Sequence, residues 1–137
     1  MFLIDTMVLS ESFKARPHPD VISWMRSVPD RPIFISVVAV GEISRGVRKL
    51  EQQDPNRAAG YRDWLETILE DYDGRILPIA VGTMRVWGPL TYDLRHTNPD
   101  LLIAATALEH DLTLVTRNVR HFEPTGVKLF NPYEQPT

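Results

Sequence analysis

The sequence predicts an α/β protein built on a central, mainly parallel sheet flanked by helices. Three observations point there. Short apolar runs alternate with helical stretches along the whole chain, the pattern of strand–helix–strand crossovers. The first run, Phe2-Leu3-Ile4, is apolar at every position, as in strands covered on both faces. The 137 residues contain no repeat, linker or low-complexity segment, and this length suits one domain, 1–137, with a true core.

Taken in order, Phe2-Leu3-Ile4 is the first strand and Asp5 closes it. Met7, Val8 and Leu9 start a short helical stretch, and Arg16-Pro17-His18-Pro19 is a loop. Asp20 opens a helix through Val21, Ile22, Trp24, Met25 and Val28 that stops near Pro29. Pro32 to Ser36 is the second strand. It leads straight into a helix over about Val37 to Leu50, with Ala39, Val40, Ile43, Val47 and Leu50 on one face. Glu42 falls at the border of that face, half sheltered. Gly41 and Gly46 each cost about 1 kcal/mol relative to Ala in a helix, which implies a close approach by another group near Glu42. Asp54-Pro55-Asn56 starts a longer helix, roughly Arg57 to Tyr72, which Asp73-Gly74 terminates. Arg75 to Ile79 is a third strand, with Pro78 marking an edge. A helix over about Val81 to Arg95 is expected to kink or break at Gly88-Pro89.

Asn98-Pro99-Asp100 then opens the helix around which the chain is organised. Asn98 suits the cap, Pro99 the first position and Asp100 the first turn, at the positive end of the dipole. Leu101 to Leu108 is apolar on almost every side, so this helix should be buried. Leu112 to Thr116 reads as a short buried strand. A loop from Val119 to Gly126 and a last strand, Val127 to Phe130, complete the chain before a polar tail.

Composition excludes several classes. The absence of cysteine removes disulfides, thiolate metal sites and thiol nucleophiles, and fits a reducing compartment; the expected location is the cytoplasm. The N-terminus lacks a basic signal-peptide region and is interrupted by Asp5. No apolar run approaches the roughly 20 residues of a membrane span, so no membrane partner is expected. A net charge of −3 argues mildly against nucleic-acid binding, although carboxylates around a cation would invert the local sign.

The chemistry lies in the acids. Parallel α/β sheets bind ligands beyond the carboxyl ends of their strands. Asp5 and Asn118 map to that edge by connectivity, and Glu42 and Asp100 lie near it. Carboxylates about 4 Å apart repel by roughly 4 kcal/mol per pair at an effective dielectric near 20, so such a cluster needs a cation or a shared proton. All-oxygen donors point to Mg²⁺ or Mn²⁺. The reaction such a set suits is metal-dependent phosphodiester hydrolysis. Arg45, Arg48 and Lys49 on the Glu42 helix, with Arg117 and Arg120, are available to hold phosphates. His18, His96 and His110 lack metal-ligand spacing and read as surface residues.

Leu3-Ile4-Asp5-Thr6, Ser36 to Ile43, Asp100 to Thr106 and Leu112 to Asn118 resemble the PIN-domain family. Within it they look most like the VapC and FitB toxins of bacterial type II toxin–antitoxin systems. The resemblance spans essentially the whole chain. It implies a PIN-like three-layer fold, Mg²⁺- or Mn²⁺-dependent endoribonuclease activity on RNA, a homodimer, and inhibition by a small cognate antitoxin. Matched by motif, Asp5, Glu42 and Asp100 are the acidic catalytic and metal-site residues, with Thr6 and Asn118 as polar accessories. An antitoxin helix docked in an apolar groove would find walls in Tyr61, Trp64 and Trp24. Relatives often carry an acid three residues after the asparagine of Thr-Arg-Asn; here that position is His121. The missing carboxylate leaves one well-held ion as the expectation, with His121 either facing the cleft or standing in solvent. Two other readings have discriminating features. An aspartyl-nucleophile phosphatase wants a second Asp two residues after Asp5, where Met7 stands. A non-catalytic partner-binding module would be separated by metal-dependent RNA cleavage.

Overall fold

The strands β1 (Phe2–Ile4), β2 (Ile33–Ser36), β3 (Ile76–Leu77), β4 (Thr113–Val115) and β5 (Leu129–Phe130) lie in one sheet, ordered β3-β2-β1-β4-β5. All four pairings are parallel, with Phe2 beside both Ile33 and Thr113, and Ile4 beside Val115. The computed structural model describes residues 1–28 and 32–134. β3 is an edge strand, as Pro78 implied; a residue with no N–H cannot extend the ladder, and β3 ends one residue before it.

Helices α1 (Thr6–Ser10), α2 (Pro19–Ser27), α3 (Val37–Gln53), α4 (Pro55–Asp71), α5 (Val81–Leu94), α6 (Asp100–Glu109) and α7 (Val119–Phe122) cover the sheet. Alternate strand residues feed different cores, as a period of two requires. Ile4, Ile35 and Val115 pack with Val21, Trp24, Ala39, Ile43, Trp64 and Ile68 from α2, α3 and α4. Leu3 and Leu114 pack with Ile103, Ala104, Ala107 and Phe122 from α6 and α7. The result is three layers: helices, sheet, helices.

Local chemistry explains most of the boundaries and the departures. α2 is capped by His18, whose Nδ1 accepts from Asp20 N at 3.2 Å, so Asp20 is a first-turn residue rather than the opener. His18 is accordingly half-buried, against the surface position expected of it. The stop expected at Pro29 falls outside the described residues; α2 ends at Ser27. α5 runs unbroken through Gly88-Pro89, where the Thr91 hydroxyl donates to the Gly88 carbonyl at 2.9 Å. The segment Val119 to Gly126, expected as a loop, holds α7 and a 3-10 turn over Glu123–Thr125. Gly126 closes that turn at φ 76°, a backbone state that suits glycine. In α3 only one of the two glycines is explained by packing. A Cβ on Gly46 would stand 2.9 Å from the Tyr61 ring, whereas one on Gly41 would meet nothing within 4 Å.

Trp24 and Trp64 do not wall an open groove. Trp24 is 6% exposed, edge-on to Phe2 at 5.2 Å, and Trp64 is 8% exposed with its Nε1 donating to Ser12 Oγ at 3.1 Å. Burying aromatic area inside the fold outweighs reserving it for a partner, since an indole with a satisfied N–H is a core side chain.

α6 begins as its sequence dictates. Asn98 Oδ1 accepts from Asp100 N at 3.0 Å and the Asn98 carbonyl accepts from Leu101 N at 2.9 Å. Capping chemistry thus assigns Asn98 as the cap, one residue before the hydrogen-bonded boundary. Leu101 and Ile103 to Ala107 are buried, and the one polar side chain among them, Thr106, donates back to the Leu102 carbonyl at 2.8 Å. Asn98→Ala should lower stability by about 0.5–2 kcal/mol. In urea unfolding it should appear as a lower midpoint with an unchanged slope.

Candidate functional site

The order β3-β2-β1-β4-β5 reverses direction between β1 and β4, and in open parallel sheets the crevice at such a reversal is where ligands sit. Asp5 follows β1 directly and Thr116 follows β4. Parallel register places them side by side, and Thr116 Oγ1 donates to Asp5 Oδ2 at 2.5 Å. The other oxygen, Oδ1, accepts from Val8 N at 2.9 Å and so caps α1. Both hydrogen bonds fix the carboxyl's rotamer, and the residue is only 7% exposed. Asn118 N in turn donates to Thr116 Oγ1 at 3.1 Å, which ties the start of α7 to the same point.

Asp5, Thr6, Met7, Glu42, Asp100, Ile103, Asn118 and Phe122 line one cleft of about 100 Å³. They come from the end of β1 and from α1, α3, α6, the turn after β4 and α7. Glu42 stands at the rim with much of its surface in water, and Asp100 is half-buried. Thr6 Oγ1 is buried near the Glu42 carboxyl but outside good hydrogen-bond geometry, so a water or a ligand's hydration shell would complete its bonding. The carboxyls act on one another. Burial raises the Asp5 pKa; the Thr116 and Val8 bonds oppose it, and the Asp100 charge adds to the rise. Partial burial also raises Glu42, followed by the charges of Asp100 and Asp5, with the Thr6 hydroxyl opposing.

His121, on α7, is exposed yet reaches the edge of the cleft: its Nε2 lies 3.0 Å from Asp100 Oδ2. The predicted phosphate contacts are distributed on either side. Arg45, with Arg48 and Lys49, lines a hollow on α3 shared with Glu42, although Arg48 is also 3.1 Å from Glu51. Arg117 and Arg120 line a second hollow with Asn118 and His121. Arg117 is not free there, for its guanidinium lies 4.6 Å from the Tyr133 ring centre. His96 and His110 are exposed and outside the cleft.

The donor set is oxygen-rich, partly dehydrated and negatively charged, which fits a hard divalent cation. Among the described residues no three His, Asp or Glu side chains already converge on one ion position. Mg²⁺ does not require that convergence, because it keeps several waters and takes one or two carboxylates. Asp5 is the pre-set member; Glu42 and Asp100 are the adjustable ones.

A PIN-domain model matches residues 2–126. The chain belongs to the PIN-domain family. This PIN domain is 30% identical over 138 residues to Toxin FitB of Neisseria gonorrhoeae, spanning 97% of the chain and 99% of the relative. It is 29% identical over 140 residues to the VapC ribonuclease Y4jK of Sinorhizobium fredii, spanning 98% and 99%. Among solved structures, FitAcB from Neisseria gonorrhoeae superposes with a TM-score of 0.87 at 30% identity, covering 98% of this chain and 100% of that one.

Sequence reasoning named every acid in the cleft of this PIN domain but missed Thr116 as a working part. Its signal was present: a polar residue ending an apolar strand, opposite Asp5 once β1 and β4 are paired. Glu11 and Tyr133, which buttress the same end of the sheet, carried no motif. Because the folded Asp5 pKa is raised, the native state holds a proton that the unfolded chain has released, and stability falls as pH climbs from the ordinary carboxyl range toward the folded pKa. Asp5→Asn removes that loss. The ion-free variant should melt above the wild type at pH 7, and the advantage should vanish below about pH 4, where both states are protonated. Equal melting temperatures at pH 7 would contradict the charge strain assigned to Asp5.

Proposed function

We propose that this protein is a divalent-metal-dependent endoribonuclease and the toxin of a type II toxin–antitoxin pair, acting in the cytoplasm as one domain over residues 1–137. One observation carries the chemistry. A dehydrated carboxylate, Asp5, is locked by two hydrogen bonds beside Asp100 and Glu42 at the switch point of the sheet. A purely structural carboxylate would gain from a cationic partner; here burial raises the pKa, and the nearby charge of Asp100 adds to the rise. Names of full-length relatives, a toxin and a ribonuclease, support the substrate class and the biological role.

In this reading Asp5 and Asp100 hold the ion, and Glu42 joins them directly or through water. When bound, a divalent ion neutralises charge on the phosphodiester and makes a bound water more acidic. The chain's own residues do the rest. Thr116 and Val8 N hold Asp5 in one rotamer. Thr6 and Asn118 offer polar atoms to water or phosphate at the cleft wall. His121 occupies one oxygen of Asp100, which leaves the other for a ligand and restricts the site to one ion. Arg45, Arg117 and Arg120 carry the flanking phosphates. The partners are RNA, a second copy of the chain, and an antitoxin whose apolar helix would meet Met7 and Val37, both exposed at this edge of the sheet.

Asp5→Asn and Asp100→Asn should each cut RNA cleavage by at least about a hundredfold, the scale of losing several kcal/mol of charge stabilisation, while circular dichroism stays native. Wild-type rates from either variant would refute the site. Expression of the chain alone should arrest its host; normal growth with ample soluble protein would refute the toxin role.

His121→Asp tests the histidine separately. By calorimetry it should tighten Mg²⁺ binding and narrow the preference for Mn²⁺, which accepts imidazole better than Mg²⁺ does. Unchanged titrations would make His121 a bystander.

A further inference from the structure

A buried ionic cluster lies behind the cleft and plays no part in the chemistry above. Glu11, just past α1, is 2% exposed. Its carboxylate accepts from Lys14 Nζ at 2.8 Å, His18 N at 2.9 Å and Tyr133 Oη at 2.9 Å. Burial alone would raise its pKa, but these three donors overcome that and hold it below the ordinary range. Burial and the Glu11 carboxylate push the Tyr133 phenol in the opposite direction, well above its usual value, so the hydroxyl remains a donor.

Tyr133 is thereby pinned at its hydroxyl end, and His18 packs edge-on against the ring at 5.1 Å. The exposed side of the same ring carries the Arg117 guanidinium at 4.6 Å. Arg117 follows Thr116, the residue bonded to Asp5, and is itself exposed. It lines a hollow of about 650 Å³ together with Asn118, Arg120, His121, Glu123 and Glu134. Asn118 lines the carboxylate cleft as well, so hollow and cleft are neighbours. Two arginines and two glutamates nearly cancel there. Capture of an anion then depends on where a guanidinium is held, since net charge supplies no attraction. A flat ring at 4.6 Å fixes the plane of the guanidinium and leaves its N–H edge for hydrogen bonding.

We propose that Tyr133, anchored by Glu11, is a positioning residue that presents Arg117 to an RNA phosphate adjacent to the one held in the carboxylate cleft. This rests on the ribonuclease reading and adds a subsite to it. The anchor is the hydroxyl, the platform is the ring, and the contact is the guanidinium.

The test is the salt dependence of binding to a labelled single-stranded RNA of mixed sequence, followed by fluorescence anisotropy with divalent ions chelated so that no cleavage competes. Each single-strand phosphate contact adds about 0.7 to the slope of log K against log salt. Arg117→Ala should lower the slope by about 0.7. Tyr133→Leu, which fills the space without a π face, should lower it equally, and the double variant should lose no more than either single. Tyr133→Phe keeps the ring but loses the hydroxyl anchor to Glu11, so it should lower the slope part of the way toward that of Tyr133→Leu. A general loss of stability would weaken all variants without this pattern. A wild-type slope in Tyr133→Leu overturns the proposal. Should that variant fail to fold, a wild-type slope in Tyr133→Phe overturns the proposal too. Wild-type protein that binds no RNA under these conditions also overturns the subsite, whereas failure to cleave RNA once Mg²⁺ or Mn²⁺ is restored would instead sink the ribonuclease reading on which it rests.

Discussion

The hydrogen bond from Thr116 Oγ1 to Asp5 Oδ2 is the constraint on which the site depends. It joins the carboxyl ends of β1 and β4 at the one place where the sheet changes direction. Without it Asp5 would have to leave the interior, taking the cap of α1 with it, because Val8 N relies on the same carboxylate. Thr116 also receives Asn118 N, so a single hydroxyl orients the acid, the first helix and the approach to α7. The surrounding layers exist to hold these two strand ends in register. Leu3, Ile4, Leu114 and Val115, all at most 1% exposed, are the packing that does so.

The cleft trades stability for reactivity. Burial and the like charges gathered there raise the proton affinity of these acids, and among the described residues no buried arginine or lysine relieves them. A few paces away the same chain shows the other solution. Glu11 is buried more deeply than Asp5, yet three donors satisfy it and keep it ionised. Two buried acids in one small protein thus have opposite pKa shifts. The difference separates a carboxylate satisfied as scaffold from one left under charge strain, the pattern expected of a functional site.

Much of this was legible in the sequence because periodicity and connectivity reach that far. An all-apolar Phe2-Leu3-Ile4, a polar full stop at Asp5 and the Asn98-Pro99-Asp100 opening each have one physical interpretation, and together they put acids at one edge. What stayed hidden depends on pairing between distant segments. Thr116 becomes a partner of Asp5 only when β1 lies beside β4. The tryptophans of α2 and α4 read as walls of a groove, since amphipathic spacing does not say whether a face meets the sheet or a partner. Gly41 carries a helix cost for which the fold shows no close neighbour, while the Gly46 cost is explained by a ring from α4. Tyr133 sits in a segment with no periodicity at all, and only coordinates reveal that it closes over Glu11.

The separation of Asp5 from Thr116 by 111 positions has a consequence for the protein's birth. During synthesis β1 emerges together with α1, but its neighbour β4 follows more than a hundred positions later. Until β4 arrives, Asp5 has no Thr116 hydroxyl to orient it, and the crevice lacks the wall that follows β4. No nascent intermediate can therefore carry a finished site. The cleft closes only when β4 is in place, which makes assembly of the site a late, all-or-none event in the folding of this domain.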